Sequence, residues 1–320
     1  MTGGSGFVGK ALVSALKASG RDVVVLDLAE ATETETIVGS IMNPKTVRGA
    51  LEGAGEVYHL AGNAQLWAKE PDAISIVNVE GTRNVVNASL EQGVSKFVYC
   101  SSLTTLVSVD APIGASSVDE TIIVPPSELI GEYPKSKRQG EIIVEEAIEQ
   151  GLNASIAIPT EPLGPGDDAM TPPSQMIADF LNGKTPASIN CLLNFVPVKS
   201  LAQGFVAIAD KDTCGERYLL GGENIPMAKL LANLEIVSGR KMPTLQLPYG
   251  VALAAGFVDT GLSSLTGKPP KAPLTGVRLA GRRVTFSSAK AELELRWAAS
   301  PFLPALEEAI AWMKEKGHVR

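Results

Sequence analysis

Apolar positions along the first half of the chain follow two different periods. Short β-branched or aromatic runs at 22–28, 56–60 and 96–100 read as strands. Between them, residues 8–18, 46–51 and 73–92 carry apolar positions at helical spacing. A further helix is predicted over 134–150 and a strand over 154–158. Strands alternating with helices predict a parallel sheet covered by helices on both faces.

After Pro159 the texture changes. Pro159, Pro162, Gly164, Pro165, Gly166, Pro172 and Pro173 break the regular rhythm, so the chain divides into 1–158 and 159–320. Residues 195–209 read as one more strand and helix, and 192–212 is expected to return to the first half. Residues 301–316 predict an amphipathic helix. An apolar stretch at 251–258, stopped by Asp259, is too short to span a bilayer. Two readings remain for it: an ordinary buried helix, or a surface helix that makes peripheral contact with membrane lipid.

Composition narrows the function classes. The chain has 320 residues, 45% hydrophobic and 20% charged, with a net charge of −7. That balance argues against a nucleic-acid partner, which would call for a basic face. Three cysteines, Cys100, Cys191 and Cys214, lie far apart, which fits a reducing, cytoplasmic setting better than a disulfide framework. Two histidines, His59 and His318, leave no room for a histidine cluster, and no metal site is expected.

Residues 2–9 read Thr-Gly-Gly-Ser-Gly-Phe-Val-Gly, with Gly3, Gly6 and Gly9 spaced by three. Such a loop before a helix permits a tight turn, close approach of backbone to a pyrophosphate, and tight helix packing. The positive end of the helix then faces the phosphates. The next strand ends in Asp27, a carboxylate placed to bond ribose hydroxyls and repel a 2′-phosphate, which favours NAD(H) over NADP(H). The strand that should precede this loop is missing, and the expectation is that the natural chain starts upstream of Met1.

Tyr133-Pro134-Lys135-Ser136-Lys137 places Tyr133 and Lys137 four apart, on one face of a helix. A phenol must fall roughly 3 units from about 10, or about 4 kcal/mol, to work as an acid or base near neutrality. A neighbouring ammonium supplies part of that. Ser102, at the carboxyl end of the 96–100 strand, is the chosen hydroxyl for holding a substrate oxygen, with Ser101 and Thr104 as alternatives.

These residues resemble a known family. Residues 2–9, His59-Leu60-Ala61-Gly62, Asn78-Val79-Glu80-Gly81-Thr82, 98–102, 133–137, Gly164-Pro165-Gly166-Asp167 and Gly215-Glu216-Arg217-Tyr218 together look like an extended short-chain dehydrogenase/reductase of the NAD-dependent epimerase/dehydratase group. Within it the chain resembles the 3β-hydroxysteroid dehydrogenase and dihydroflavonol reductase branch. Gly221-Gly222-Glu223-Asn224 and 286–291 are similar to hopanoid-associated sugar epimerase-type proteins. The resemblance implies an α/β fold, a Rossmann-type doubly wound parallel sheet with a smaller α+β substrate-binding domain. It implies Ser102, Tyr133 and Lys137 as catalytic, and Gly3, Gly6, Phe7, Val8 and Asp27 as cofactor ligands. Tyr133, Lys137, Ala61, Gly62 and Pro159 are implied as further cofactor contacts, Asn78 as a structural tie, and a homodimer through helices of the first half. The chain departs from the family where Ser40 follows Gly39 in place of an aspartate, and where Val198-Lys199-Ser200 replaces a Val-x-Asp pattern.

Two activities fit. One is hydride transfer between nicotinamide and a carbonyl or secondary alcohol of a bulky, apolar small molecule such as a 3-oxo lipid (ketoceramide), sterol or isoprenoid. The other is nucleotide-sugar epimerisation at the same three residues, with Arg240, Arg278, Arg282 and Arg283 available for a diphosphate. His59 and Arg217 read as structural, Trp67 as a loop residue that either packs on the surface or closes over substrate, and Glu161 as part of the cleft floor.

Overall fold

The computed structural model describes residues 1–319 apart from 33, 71, 112, 113, 115 and 116. The first half contains α1 (Phe7–Ala18), β1 (Val24–Asp27), β2 (Glu35–Val38), α2 (Pro44–Leu51), β3 (Glu56–His59), α3 (Asp72–Gln92), β4 (Lys96–Cys100), β5 (Ser117–Val118), α4 (Glu132–Glu149) and β6 (Ala154–Pro159). Then come β7 (Glu161–Leu163), α5 (Pro172–Leu181), β8 (Ser188–Ile189), β9 (Leu192–Pro197), α6 (Val198–Ala209), β10 (Arg217–Leu220) and β11 (Glu223–Pro226). The chain closes with α7 (Met227–Ser238), β12 (Gln246–Leu247), α8 (Tyr249–Thr266), α9 (Leu274–Arg282), β13 (Thr285–Phe286), α10 (Ala289–Leu295) and α11 (Phe302–Glu315).

The main sheet is parallel. β2 pairs with β1, and β3, β4, β6 and β10 follow side by side. The gap between β1 and β3 is where the leading strand was expected. Thr2 fills it, bridging Leu26 on one side and His59 on the other. Its N–H donates to Tyr58 O, and Leu26 N donates to Met1 O.

Successive strand residues feed opposite faces. Phe97, Tyr99, Ile156, Ile158 and Leu219 pack toward α2, α3 and α4. Tyr58, Val98, Ala157, Tyr218 and Leu220 pack toward α1 and α6. Both faces are covered, which is why these strands read as unbroken apolar runs. The ligand-binding edge is then the row of strand carboxyl ends, where the Gly loop, residues 60–63, 101–104 and 159–160 emerge.

Residues 192–212 divide between layers. β9 joins a second sheet with β7 and β11, whereas α6 lies against α1 on the main sheet. Ser200, where a carboxylate was expected, bonds Ser300 Oγ at 2.8 Å and accepts from Trp297 Nε1 through its carbonyl. The second sheet packs with α5, α7 and α11 around Phe195, Leu230, Leu234, Phe302 and Leu306. The apolar stretch at 251–258 lies within a longer helix, α8, that runs through Asp259 to Thr266, and Asp259 Oδ2 accepts from Ala272 N in the segment that follows.

Candidate active site

The Gly loop crosses the end of the sheet on a tight path. Gly3 has φ +74°, and a Cβ there would meet Ala61 N at 2.6 Å. A Cβ on Gly9 would lie 2.0 Å from Gly3 O, so only glycine lets α1 start this close to the loop. On Gly6 the space is open, with Gly3 O at 3.5 Å as the nearest neighbour. No side chain caps the first turn of α1, Phe7-Val8-Gly9. Open space above uncapped N–H groups is what a pyrophosphate requires, so these residues fit the dinucleotide implied by the sequence.

Asp27 stands at the mouth of this loop. Its Oδ2 accepts from Ser5 N at 2.9 Å and its Oδ1 from Leu28 N at 2.7 Å. Ser40 Oγ accepts from Met42 N within its own turn. Ala61 donates its N–H to Thr2 Oγ1 at 3.2 Å, and Gly62 beside it is exposed. Pro159 closes β6 and is buried.

Tyr133 and Lys137 lie on the first turns of α4, whose N-cap is Gly131 at φ +92°. Pro134 sits in the first turn, where its missing N–H costs nothing. Lys137 is buried, with Nζ 4.6 Å above the Tyr99 ring. Burial raises the Tyr133 phenol above its ordinary value, and the Lys137 ammonium and a hydrogen bond with Ser102 pull it back only in part.

The three candidate hydroxyls separate cleanly. Ser101 Oγ donates to Glu141 Oε1, away from Tyr133. Thr104 donates to Ser102 Oγ at 3.0 Å. Of the three, Ser102 is the one that hydrogen-bonds the Tyr133 side chain. Glu141, buried in mid-helix, also accepts from Thr105 Oγ1, Arg138 and Arg217. Arg217 therefore sits in a structural ion pair, and this polar knot fixes the β4 end that presents Ser102.

A chain of hydrogen bonds joins the Gly loop to α4. Thr2 Oγ1 bonds His59 Nδ1 at 2.7 Å, and His59 Nε2 bonds Thr82 Oγ1 at 3.0 Å. Thr82 donates onward to Asn78 O, so it must accept from His59, which fixes a neutral imidazole with its proton on Nε2. Burial first, then the Lys137 ammonium and the amino terminus, push His59 down to about 3. Asn78 Oδ1 accepts from Asn63 N, and its Nδ2 donates to Asn63 O and to Ser136 Oγ. Ser136 donates to Tyr133 O. The 60–63 loop and the Tyr133 turn are thus held in one frame. Sequence reading quoted Thr2, Thr82 and Ser136 within motifs but gave them no role, and it did not name Glu141. The i, i+4 spacing of Asn78 and Thr82 was the visible clue.

Glu161 lies just past β6. Its Oε2 accepts from Asn194 N at 3.0 Å, its one hydrogen-bond partner among the described residues. Burial without a cation raises its carboxyl to about 8, so it stands protonated at neutral pH. Trp67 is half-buried in the loop after β3.

Comparison with known proteins places this arrangement. Residues 1–221 match the NAD dependent epimerase/dehydratase family. The chain is 30% identical over 331 residues to a Synechocystis protein named "Putative dihydroflavonol 4-reductase", covering all of this chain and 95% of that one. It is 28% identical to sterol demethylase protein B of Methylococcus capsulatus, covering all of this chain and 99% of that protein. The crystal structure of gox2253 superposes with a TM-score of 0.85 at 34% identity, over 100% of this chain and 98% of that one.

Proposed function

The chain belongs to the NAD-dependent epimerase/dehydratase family, and within it we propose a ketoreductase or alcohol dehydrogenase acting on a bulky, lipid-like substrate such as a 3-oxo lipid, sterol or isoprenoid. The observation that carries this reading is the convergence of Ser102, Tyr133 and Lys137 at the carboxyl edge of the sheet, beside the glycine cradle.

Nicotinamide, when bound, supplies or accepts the hydride. In reduction, Tyr133 gives its phenolic proton to the substrate oxygen as that oxygen gains negative charge. Lys137 stabilises the phenolate left behind, and solvent restores the proton. Ser102 holds the same oxygen by hydrogen bond. In this structure the phenol stands above its ordinary value, not below it as the sequence reading called for, so it is protonated at neutral pH. Asp27 supports NAD over NADP, as does the lack of any Lys or Arg between Arg21 and Lys45 to meet a 2′-phosphate.

The test follows nicotinamide absorbance with a panel of 3-oxo lipids and nucleotide sugars. Net NADH consumption with a ketone is expected. Sugar interconversion without net consumption would overturn the reading in favour of epimerisation.

A further inference from the structure

Helix α8 is built inside out. Its buried positions are small: Ala252, Gly256 and Ser263. Gly256 lies against Val277, Ala272 and Leu274, so α8 packs closely on α9 and the segment before it. The large apolar residues point the other way. Val251, Val258, Leu262 and Leu265 fall on one stripe at helical spacing, with Phe257 beside it. Leu265 is 85% and Phe257 69% exposed. A helix that faces water alone would place these residues inward, so the outer face calls for a cover.

Charge says what kind of cover. Residues 240–283 hold seven Lys or Arg and one carboxylate, Asp259, in a chain whose net charge is −7. Lys268 and Lys271 are exposed just beyond Leu265, and the Lys69 side chain reaches Gly267 at the same end. An apolar stripe with cations clustered at one end, on an otherwise acidic protein, matches an anionic lipid surface. The 18-residue helix is not long and apolar enough to cross a membrane.

The position of this face gives it a use. Helix α9, on which α8 packs, lies at the edge of the catalytic site. Thr275 lies against Gly131, two residues before Tyr133, and Leu66 of the β3 loop lies against Gly276. Arg282 donates to Ala111 O at 3.1 Å. We propose that α8 docks flat on an anionic bilayer and holds the mouth of the cleft at the lipid surface, where an apolar substrate resides. The biological sense of this docking rests on the lipid-substrate reading above, but its evidence does not.

Vesicle flotation tests it without turnover. The full chain is mixed with vesicles of phosphatidylcholine alone, or of an equal mixture with phosphatidylglycerol. Binding to the mixed vesicles is expected, weakened by salt. Lys268→Gln with Lys271→Gln should reduce partitioning about thirtyfold. Leu262→Gln with Leu265→Gln should reduce it tenfold or more. Both variants alter exposed side chains and should keep wild-type turnover of a short, water-soluble ketone. If no ketone is reduced but α8-dependent flotation stands, the activity reading fails and docking survives. Absence of flotation, or flotation indifferent to both variants, overturns the docking. So does light scattering that shows a dimer dissolved by the leucine variant with no vesicle binding, since a second copy would then be the cover.

Discussion

His59 should make the protein acid-sensitive through one side chain. It is buried, neutral, and bonded at both nitrogens, to Thr2 at 2.7 Å and Thr82 at 3.0 Å. A histidine depressed from 6.5 to about 3 binds its proton more readily in the unfolded chain than in the folded one. Its contribution to stability is therefore full above about 6.5 and is lost as pH falls toward 3. At 1.36 kcal/mol per unit, the whole window is worth about 5 kcal/mol, of which about 3 kcal/mol is gone by pH 4. His59→Gln keeps an amide able to bond Thr2 and Thr82 but does not titrate. Urea unfolding of both proteins at pH 7.5, 6, 5 and 4 (about these values) isolates the effect, because carboxylates shared by the two drop out of the difference. The variant should start less stable at neutral pH and converge with, then exceed, the wild type as pH falls. Parallel curves would refute the buried neutral histidine and, with it, the hydrogen-bonded frame from the Gly loop to Tyr133.

Glu161 should act with the opposite sign. Its carboxyl is raised to about 8, so its stability contribution is full below about 4.5 and is lost as pH climbs through 8. Glu161→Gln should leave stability unchanged near pH 5 and raise the melting temperature above pH 8, read by scanning calorimetry. Asp27→Asn removes the negative charge that the proposal sets beside a ribose 2′ position. Two charges of a phosphate against one at ~6 Å in water come to about 1.4 kcal/mol, so the kcat/KM ratio for NADP over NAD should rise about tenfold.

Much of the site was legible because its chemistry depends on local spacing. Gly3, Gly6 and Gly9, the Tyr133–Lys137 pair and the Ser101–Ser102 strand end each report a short-range geometric need. Helix periodicity likewise marked α1, α3 and α4. What stayed hidden depends on partners far along the chain. Nothing local marks Glu141 as buried, yet its side chain is fully enclosed with Ser101, Arg138 and Arg217 as partners. The run at 218–220 reads as a strand, but its place beside β6 at the sheet edge follows from packing, not from its own residues. The two-residue pairings of β5 with β13 and of β8 with β12 are too short to leave any periodicity. The choice of Ser102 over Ser101 was open in sequence for the same reason, since it turns on where Glu141 lies.

The central claim is that Tyr133 delivers the proton while the Gly loop and Asp27 hold the cofactor. Single-turnover NADH oxidation by wild type and Tyr133→Phe, with a 3-oxo lipid in excess, tests it most directly, with NADH affinity measured in parallel by fluorescence. The account predicts a loss of about a hundredfold to ten-thousandfold in the rate with NADH affinity unchanged. A Tyr133→Phe protein that still turns over at the wild-type rate would contradict it.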